Sequence, residues 1–311
     1  MSAPLGVLLL TFGSAVTADD VPQYLASVRA GRAVPDDVVS EFQRRYDIIG
    51  RSPLIDITRE QARDLQQLME SEDGAGSWRV EVGMLHSKPR VAEGVGALVE
   101  AGVRDVVAVV LAPQYSPIIL AGYERAIATA RDQHPHVRFH IAGAWHTTPE
   151  WIDSLADRLA ATIADLPGTS QSAIPVIFTA HSLPRAVVDR DPGYIDQLKE
   201  TAQAVAARAG LPSDRWFFAY QSAGHTPEEW LTPDVKDLLP ELRRDGHDAV
   251  VIAPVQFLAD HLEILYDIDV AARAEAELLN MTMHRIDMPN TSPTLVRALA
   301  AVARRERRAV H

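Results

Sequence analysis

The 311-residue chain contains no cysteine. That excludes a disulfide framework, a thiolate zinc site and a cysteine-held iron–sulfur cluster, so any metal handled here meets nitrogen and oxygen donors. No apolar run approaches the roughly 18 residues needed to cross a membrane as a helix. Residues Met1 to Leu10 lack both the basic start and the small-residue cleavage pattern of a secretory signal, and a cytoplasmic location is the expectation. Motifs of several enzyme classes are missing too. There is no Walker-type glycine loop, no G-x-S-x-G nucleophile elbow and no H-E-x-x-H pair, while Gly94-Val95-Gly96 sits inside a helical pattern rather than a strand-to-helix turn. Positive charge is in deficit: 30 Lys and Arg face 42 Asp and Glu, giving a net charge of −12. A phosphate backbone or an anionic membrane surface would be repelled by that balance, which points to a small ligand and away from nucleic acid.

The chain does have ample core material, 47% of it hydrophobic, and its length suits two domains. Short apolar runs recur at Val7–Phe12, Val80–Met84, Val106–Leu111 and Val137–Ala142, then at Ile174–Thr179, Trp216–Gln221, Ala249–Pro254 and Thr282–Ile286. Continuous rather than alternating apolar character predicts parallel strands covered on both faces. Amphipathic helices separate them. Thr148-Pro149 opens one that carries Ile152, Leu155, Leu159 and Ile163, and Asp191-Pro192-Gly193 opens another that stops at Gly210. The expected architecture is α/β: two doubly wound, Rossmann-like halves, each a four-stranded parallel sheet flanked by helices, joined near residues 145 to 150. Between Gly13 and Val80 the pattern is helical with a break at Gly50-Arg51-Ser52-Pro53, an insertion that would overhang the carboxyl edge of the first sheet. The basic tail Arg304-Arg305-Glu306-Arg307-Arg308 reads as the solvated end of a helix beginning near Ser292.

Ligands of open α/β sheets bind beyond the carboxyl ends of the strands. One such end is Ala180-His181-Ser182-Leu183-Pro184, where His181 follows an apolar run and is a candidate proton acceptor or metal ligand. The segment Asp260 to Asp267 places Asp260, Glu263 and Asp267 at i, i+3 and i+7, so a helix would stack three carboxylates. A solvated acidic face is the ordinary explanation of such a stripe, as a satisfied structural imidazole is of a lone histidine. Apolar Leu262, Ile264, Leu265 and Ile268 predict half-burial, where stacked like charges need a cation or a proton. His86, Lys88, Ser222 and His225 also lie at strand ends and read as ordinary loop polarity.

Taken together, Leu111-Ala112-Pro113-Gln114-Tyr115-Ser116, Ala180 to Pro184, Tyr220-Gln221-Ser222-Ala223-Gly224-His225-Thr226-Pro227 with Trp230, Asp260-His261-Leu262-Glu263 and Met288-Pro289-Asn290 resemble the ferrochelatases. The variant forms are similar to the coproporphyrin III branch of Gram-positive bacteria. The resemblance implies that residues 1–147 with a returning helix 288–311 form one domain, carrying a porphyrin-gripping insertion at 13–79, and that 148–287 form the other. It implies His181 and Glu263 as the catalytic, metal-handling pair, Asp260 and Asp267 as a proton or metal path, and Arg29, Arg45, Tyr46, Ser52 and Tyr123 as contacts to the tetrapyrrole and its carboxylates. Fe²⁺ would be substrate, no cofactor would be tightly bound, and a downstream haem-pathway enzyme would be a transient partner. Two positions depart from the family pattern: Phe12 stands where relatives carry a tyrosine that caps the product iron, and Ala271 where a further acidic residue extends the carboxylate path. A protoporphyrin IX enzyme, a non-catalytic tetrapyrrole or metal carrier and a sirohydrochlorin-type cobalt chelatase are the alternatives.

Overall fold

The computed structural model describes residues 3–166, 174–224 and 227–310; His225 and Thr226 of the longest motif lie outside them. All eight expected strands are present: β1 Leu5–Thr11, β2 Trp78–Met84, β3 Asp105–Val110 and β4 Arg138–Ile141, then β5 Val176–His181, β6 Trp216–Gln221, β7 Ala249–Pro254 and β8 Thr282–Arg285. They form two four-stranded sheets, ordered β2-β1-β3-β4 and β6-β5-β7-β8, in which every pair is parallel. The same order in both halves is the doubly wound arrangement with its switch beside the first strand, so β1 and β5 each deliver their carboxyl ends to a crevice.

Strand interiors such as Val7 to Leu10 and Val176 to Phe178 are buried without a polar break, which is what sheets covered on both faces require. Each fully buried aliphatic side chain there contributes about 1.5–3 kcal/mol.

The helices follow their sequence signals. In the first half they are α1 Val21–Val28, α2 Asp36–Ile49, α3 Leu54–Asp73, α4 Val91–Glu100 and α5 Pro117–Gln133. Helix α6 Pro149–Ala164 has Thr148 at its N-cap and Pro149 in its first turn, and buries Trp151, Leu155 and Leu159 on one face. The second half continues with α7 Arg185–Val188, α8 Gly193–Arg208, α9 Val235–Arg244, α10 Leu262–Leu265, α11 Arg273–Leu278 and the terminal α12 Pro293–Val310. Gly94 in α4 is a packing requirement, because a Cβ at that position would lie 2.3 Å from the Val82 carbonyl oxygen.

Helices α1, α2 and α3 fill the insertion, and its apolar side chains reach across the molecule: Val21, Leu25 and Tyr46 share a buried cluster with Leu262, with Tyr266 packed against it. Helix α12 packs on α3, α6 and β3. Its basic end is not merely solvated. Arg304 pairs with Glu72 at 2.7 Å and Asp73 at 3.1 Å, and Arg307 lies over the Trp78 ring at 5.7 Å. The largest hydrophobic cluster runs through both halves, taking in Val7, Val80 and Val107 from one sheet and Val176, Phe178 and Val251 from the other.

Candidate active site

His181 is the last residue of β5, and its backbone N–H donates to Gln256 Oε1 at 2.7 Å. Gln256 in turn donates to the buried Tyr194 hydroxyl. The His181 Nδ1 contacts the Ser182 carbonyl, which can only accept, so Nδ1 carries a proton and Nε2 is the ring nitrogen left to face Glu263 and the cleft. Nε2 lies 3.7 Å from Glu263 Oε1.

Glu263 rides on α10, the short helix that follows an extended His261 (φ −162°, ψ −177°). Its backbone carbonyl accepts from Gln221 Nε2 at 2.9 Å, while Gln221 Oε1 accepts from the fully buried Thr179 at 2.7 Å. Strand ends β5 and β6 thereby fix the helix that carries the carboxylate. The carboxylate has a second imidazole neighbour, since His261 Nε2 lies 3.5 Å from the other oxygen, Oε2. His261 Nδ1 points to the Ala259 carbonyl at 2.9 Å, so the ring is anchored by one nitrogen and faces Glu263 with the other. Burial pushes the Glu263 carboxyl up, but the charge of His181 and the hydrogen bond and charge of His261 outweigh it and hold the group at about 2. Burial pushes His261 down, and the Glu263 hydrogen bond and charge reverse this and raise it. The carboxylate side chain is 37% exposed, so it stays open to the cleft. The two imidazoles approach opposite oxygens, and among the described residues no group of three or more His, Asp or Glu closes into a preformed metal cage.

The expected stack of three carboxylates does not form. Because His261 is extended and α10 starts at Leu262, Asp260 precedes the helix and turns away to Asn290 Nδ2 at 2.7 Å and Arg285 at 3.4 Å. Asp267 does follow Glu263, at the start of a π-helical turn, Asp267–Ala272, a distortion often found at functional sites. Burial raises the Asp267 carboxyl; the Ser222 hydroxyl works against that by hydrogen bonding, and the Glu263 charge adds to it.

The residues named by resemblance as ring contacts are placed unevenly. Arg29 is half-buried at the end of α1, its guanidinium 3.4 Å from the Ala33 carbonyl. Arg45 reaches across to Asp267 at 3.4 Å, pairs with Glu41 at 2.9 Å and lies over Tyr266 at 5.0 Å. Tyr46 and Ser52 are buried and meet at the Ser14 hydroxyl, 2.9 Å from each. Tyr123 is 5% exposed within the core that backs the first sheet. Burial raises the Tyr123 phenol and pushes Tyr46 to about 12, so both stay protonated at neutral pH.

Sequence reasoning passed over His261, Ser222 and Tyr24. An imidazole two residues from the chosen carboxylate Glu263 was a signal for the first. The second, set aside as loop polarity, takes φ +59° and faces Asp267. Tyr24 donates to the Gly13 carbonyl at 3.4 Å; burial raises its phenol most, with Tyr46 and Glu263 adding to the rise. Phe12 stands at the end of β1, 43% exposed, its ring 4.4 Å from that of His86.

Comparison with known proteins identifies the family and the fold. The Ferrochelatase family model matches residues 4–307. A protein named ferrochelatase from Deinococcus radiodurans is 38% identical over 97% of this chain and 96% of its own length. Proteins named coproporphyrin III ferrochelatase from Geobacillus kaustophilus and Bacillus subtilis are 35% and 31% identical, over 96% of this chain and 94% and 96% of theirs. Among solved structures, a sirohydrochlorin chelatase from Bacillus subtilis subspecies spizizenii shares the fold at TM-score 0.57 and 13% identity, over 97% of this chain and 94% of that one. With the two doubly wound sheets, the histidine and carboxylate at their crevice and a family match over nearly every residue, the chain belongs to the ferrochelatases, lyases that insert iron into a porphyrin.

Proposed function

We propose that the substrate is coproporphyrin III and the product its ferrous complex, coproheme. The observation that carries the chemistry is the His181–Glu263 approach at 3.7 Å, with the imidazole Nε2 turned outward and the carboxylate held ionised. Metallation displaces two pyrrole protons and strips water from Fe²⁺. A neutral His181 Nε2 can accept a pyrrole proton, and the Glu263 carboxylate can draw in the cation or take the proton onward to Asp267. Gln256 and Gln221 act as positioning residues, holding the backbones of His181 and Glu263. Iron passes through as substrate, with no resident cofactor required.

For the four-carboxylate ring, support comes from the relatives named coproporphyrin III ferrochelatase and from the absence, among the described residues, of any helix long and apolar enough to cross a membrane. Protoporphyrin IX carries two vinyl groups where coproporphyrin III carries propionates. Each lost charge-assisted hydrogen bond costs about 1.5–3 kcal/mol, so a preference of roughly tenfold or more in kcat/KM follows. Anaerobic competition between the two porphyrins for Fe²⁺, read from the Soret bands with both kept monomeric, is the test. Equal or better use of protoporphyrin IX would overturn the coproporphyrin reading, and binding without metallation would make the protein a carrier.

A further inference from the structure

Coproporphyrin III presents four carboxylates, yet several side chains named as their partners are engaged elsewhere. Arg45 is bound to Glu41 and Asp267, and Tyr46, Ser52 and Tyr123 are buried. Accessible cations lie to one side of them. A cavity of about 470 Å³ opens between the Gly13–Val16 loop, the start of α3 and the loop after β2, and its lining includes Arg51, Arg59, Lys88 and Arg90 against Asp20 and Asp56.

Both acidic groups are already used. Asp56 pairs with Arg51 at 2.6 Å, and Asp20 accepts from the Val16 and Thr17 amides at 3.2 and 3.0 Å. Arg90 is committed to the Leu85 carbonyl and to Ser27. Among the described residues Arg59 pairs with Asp56 alone, 4.0 Å away, and it keeps 51% of its side chain exposed. Lys88 is exposed, and no ion pair involving it is found among the described residues. In a chain of net charge −12, four cations against two satisfied carboxylates make a local field that attracts anions.

The cavity adjoins the cleft. His86 lines it with its ring tilted against Phe12, and Ser14 lines it and joins Tyr46 to Ser52.

We propose that Lys88 and Arg59 receive carboxylates of the ring that two-carboxylate porphyrins lack, and so set the preference between them. The proposal rests on the coproporphyrin reading. It assigns selectivity to two cations in the loop after β2 and on α3, and leaves the metal chemistry to the opposite half.

The test uses Lys88→Glu, Arg59→Glu, the double variant and Lys88→Arg. Anaerobic metallation is measured with coproporphyrin III and with the two-carboxylate deuteroporphyrin IX, and thermal melts check each fold. The expected result is a fall of about tenfold or more in the ratio of kcat/KM values, coproporphyrin over deuteroporphyrin, for the double variant, with Lys88→Arg retaining the ratio within about threefold. If the wild type prefers coproporphyrin III and the double variant keeps that ratio, whether or not both rates fall together, the proposal is overturned and the substrate reading stands. A wild type with no preference overturns both.

Discussion

His261 approaches Glu263 on the carboxylate oxygen that His181 does not, 3.5 Å from Oε2, while His181 stands 3.7 Å from Oε1. One carboxylate is thus flanked by two imidazoles that differ in role. His181 sits on the strand end, whereas His261 is tied to its own backbone at Ala259 and biases the carboxylate toward its ionised form.

His181→Ala is expected to abolish iron insertion while leaving porphyrin affinity within a few-fold. Fluorescence quenching by apo-porphyrin binding, set beside anaerobic turnover, separates the two effects. Retention of substantial turnover would remove His181 from the proton and metal chemistry.

Glu263→Gln keeps the side chain's shape and removes its charge. Turnover should fall by about a hundredfold or more, in the range general acid–base groups contribute. Some stability should be lost with it at neutral pH, because the ionised carboxylate is held by the imidazoles on either side of it. A variant that is markedly more stable and equally active would reduce the acidic stripe to a surface feature.

The His261–Glu263 pair gives a signed pH dependence. The raised His261 contributes stability that is fully present below its ordinary 6.5 and is lost as pH climbs through its folded value. Glu263, lowered from 4.5 to about 2, contributes stability present above 4.5 and lost on acidification toward 2. Urea unfolding of wild type and His261→Asn should therefore differ most between about pH 4.5 and 6.5 and converge as pH rises through the raised value of His261. A difference independent of pH would mean that the pair is uncharged in the folded protein.

Gln221→Leu deprives the buried Thr179 hydroxyl and the Glu263 carbonyl of their partners. The expected cost is about 1–3 kcal/mol per orphaned group, together with slower metallation and an unchanged KM for porphyrin. A rise in KM with normal kcat would place Gln221 against the ring.

All eight strands were legible because strands buried on both faces have no polar alternation to blur them. His181 was legible for a related reason: a titratable group closing an apolar run stands out. The acidic stripe was misread at its first member, since nothing in Asp260-His261-Leu262 announces that the backbone is extended at His261 and that Arg285 and Asn290 claim Asp260. Ser222 was hidden by its loop setting. Arg304 was taken for a solvated tail because its partners, Glu72 and Asp73, lie more than two hundred residues away in sequence, and Arg45 meeting Asp267 is the same kind of contact. Spacing within one element reveals a shared face, whereas ion pairs between elements wait for the fold.

The hydrophobic cluster that runs unbroken through both sheets gives the two halves one interior. Close-packed interiors resist compression, so the walls of the crevice behave as the fixed jaws of a vise and not as a hinge. For a flat macrocycle held between them, the compliant partner is then the ring. Its out-of-plane buckling, which turns a pyrrole lone pair toward the incoming ion, would draw on the grip at the ring's periphery. On this view cations that never touch the metal are mechanically part of the reaction: loosening the grip flattens the ring, and a flat ring shields its nitrogens from the metal.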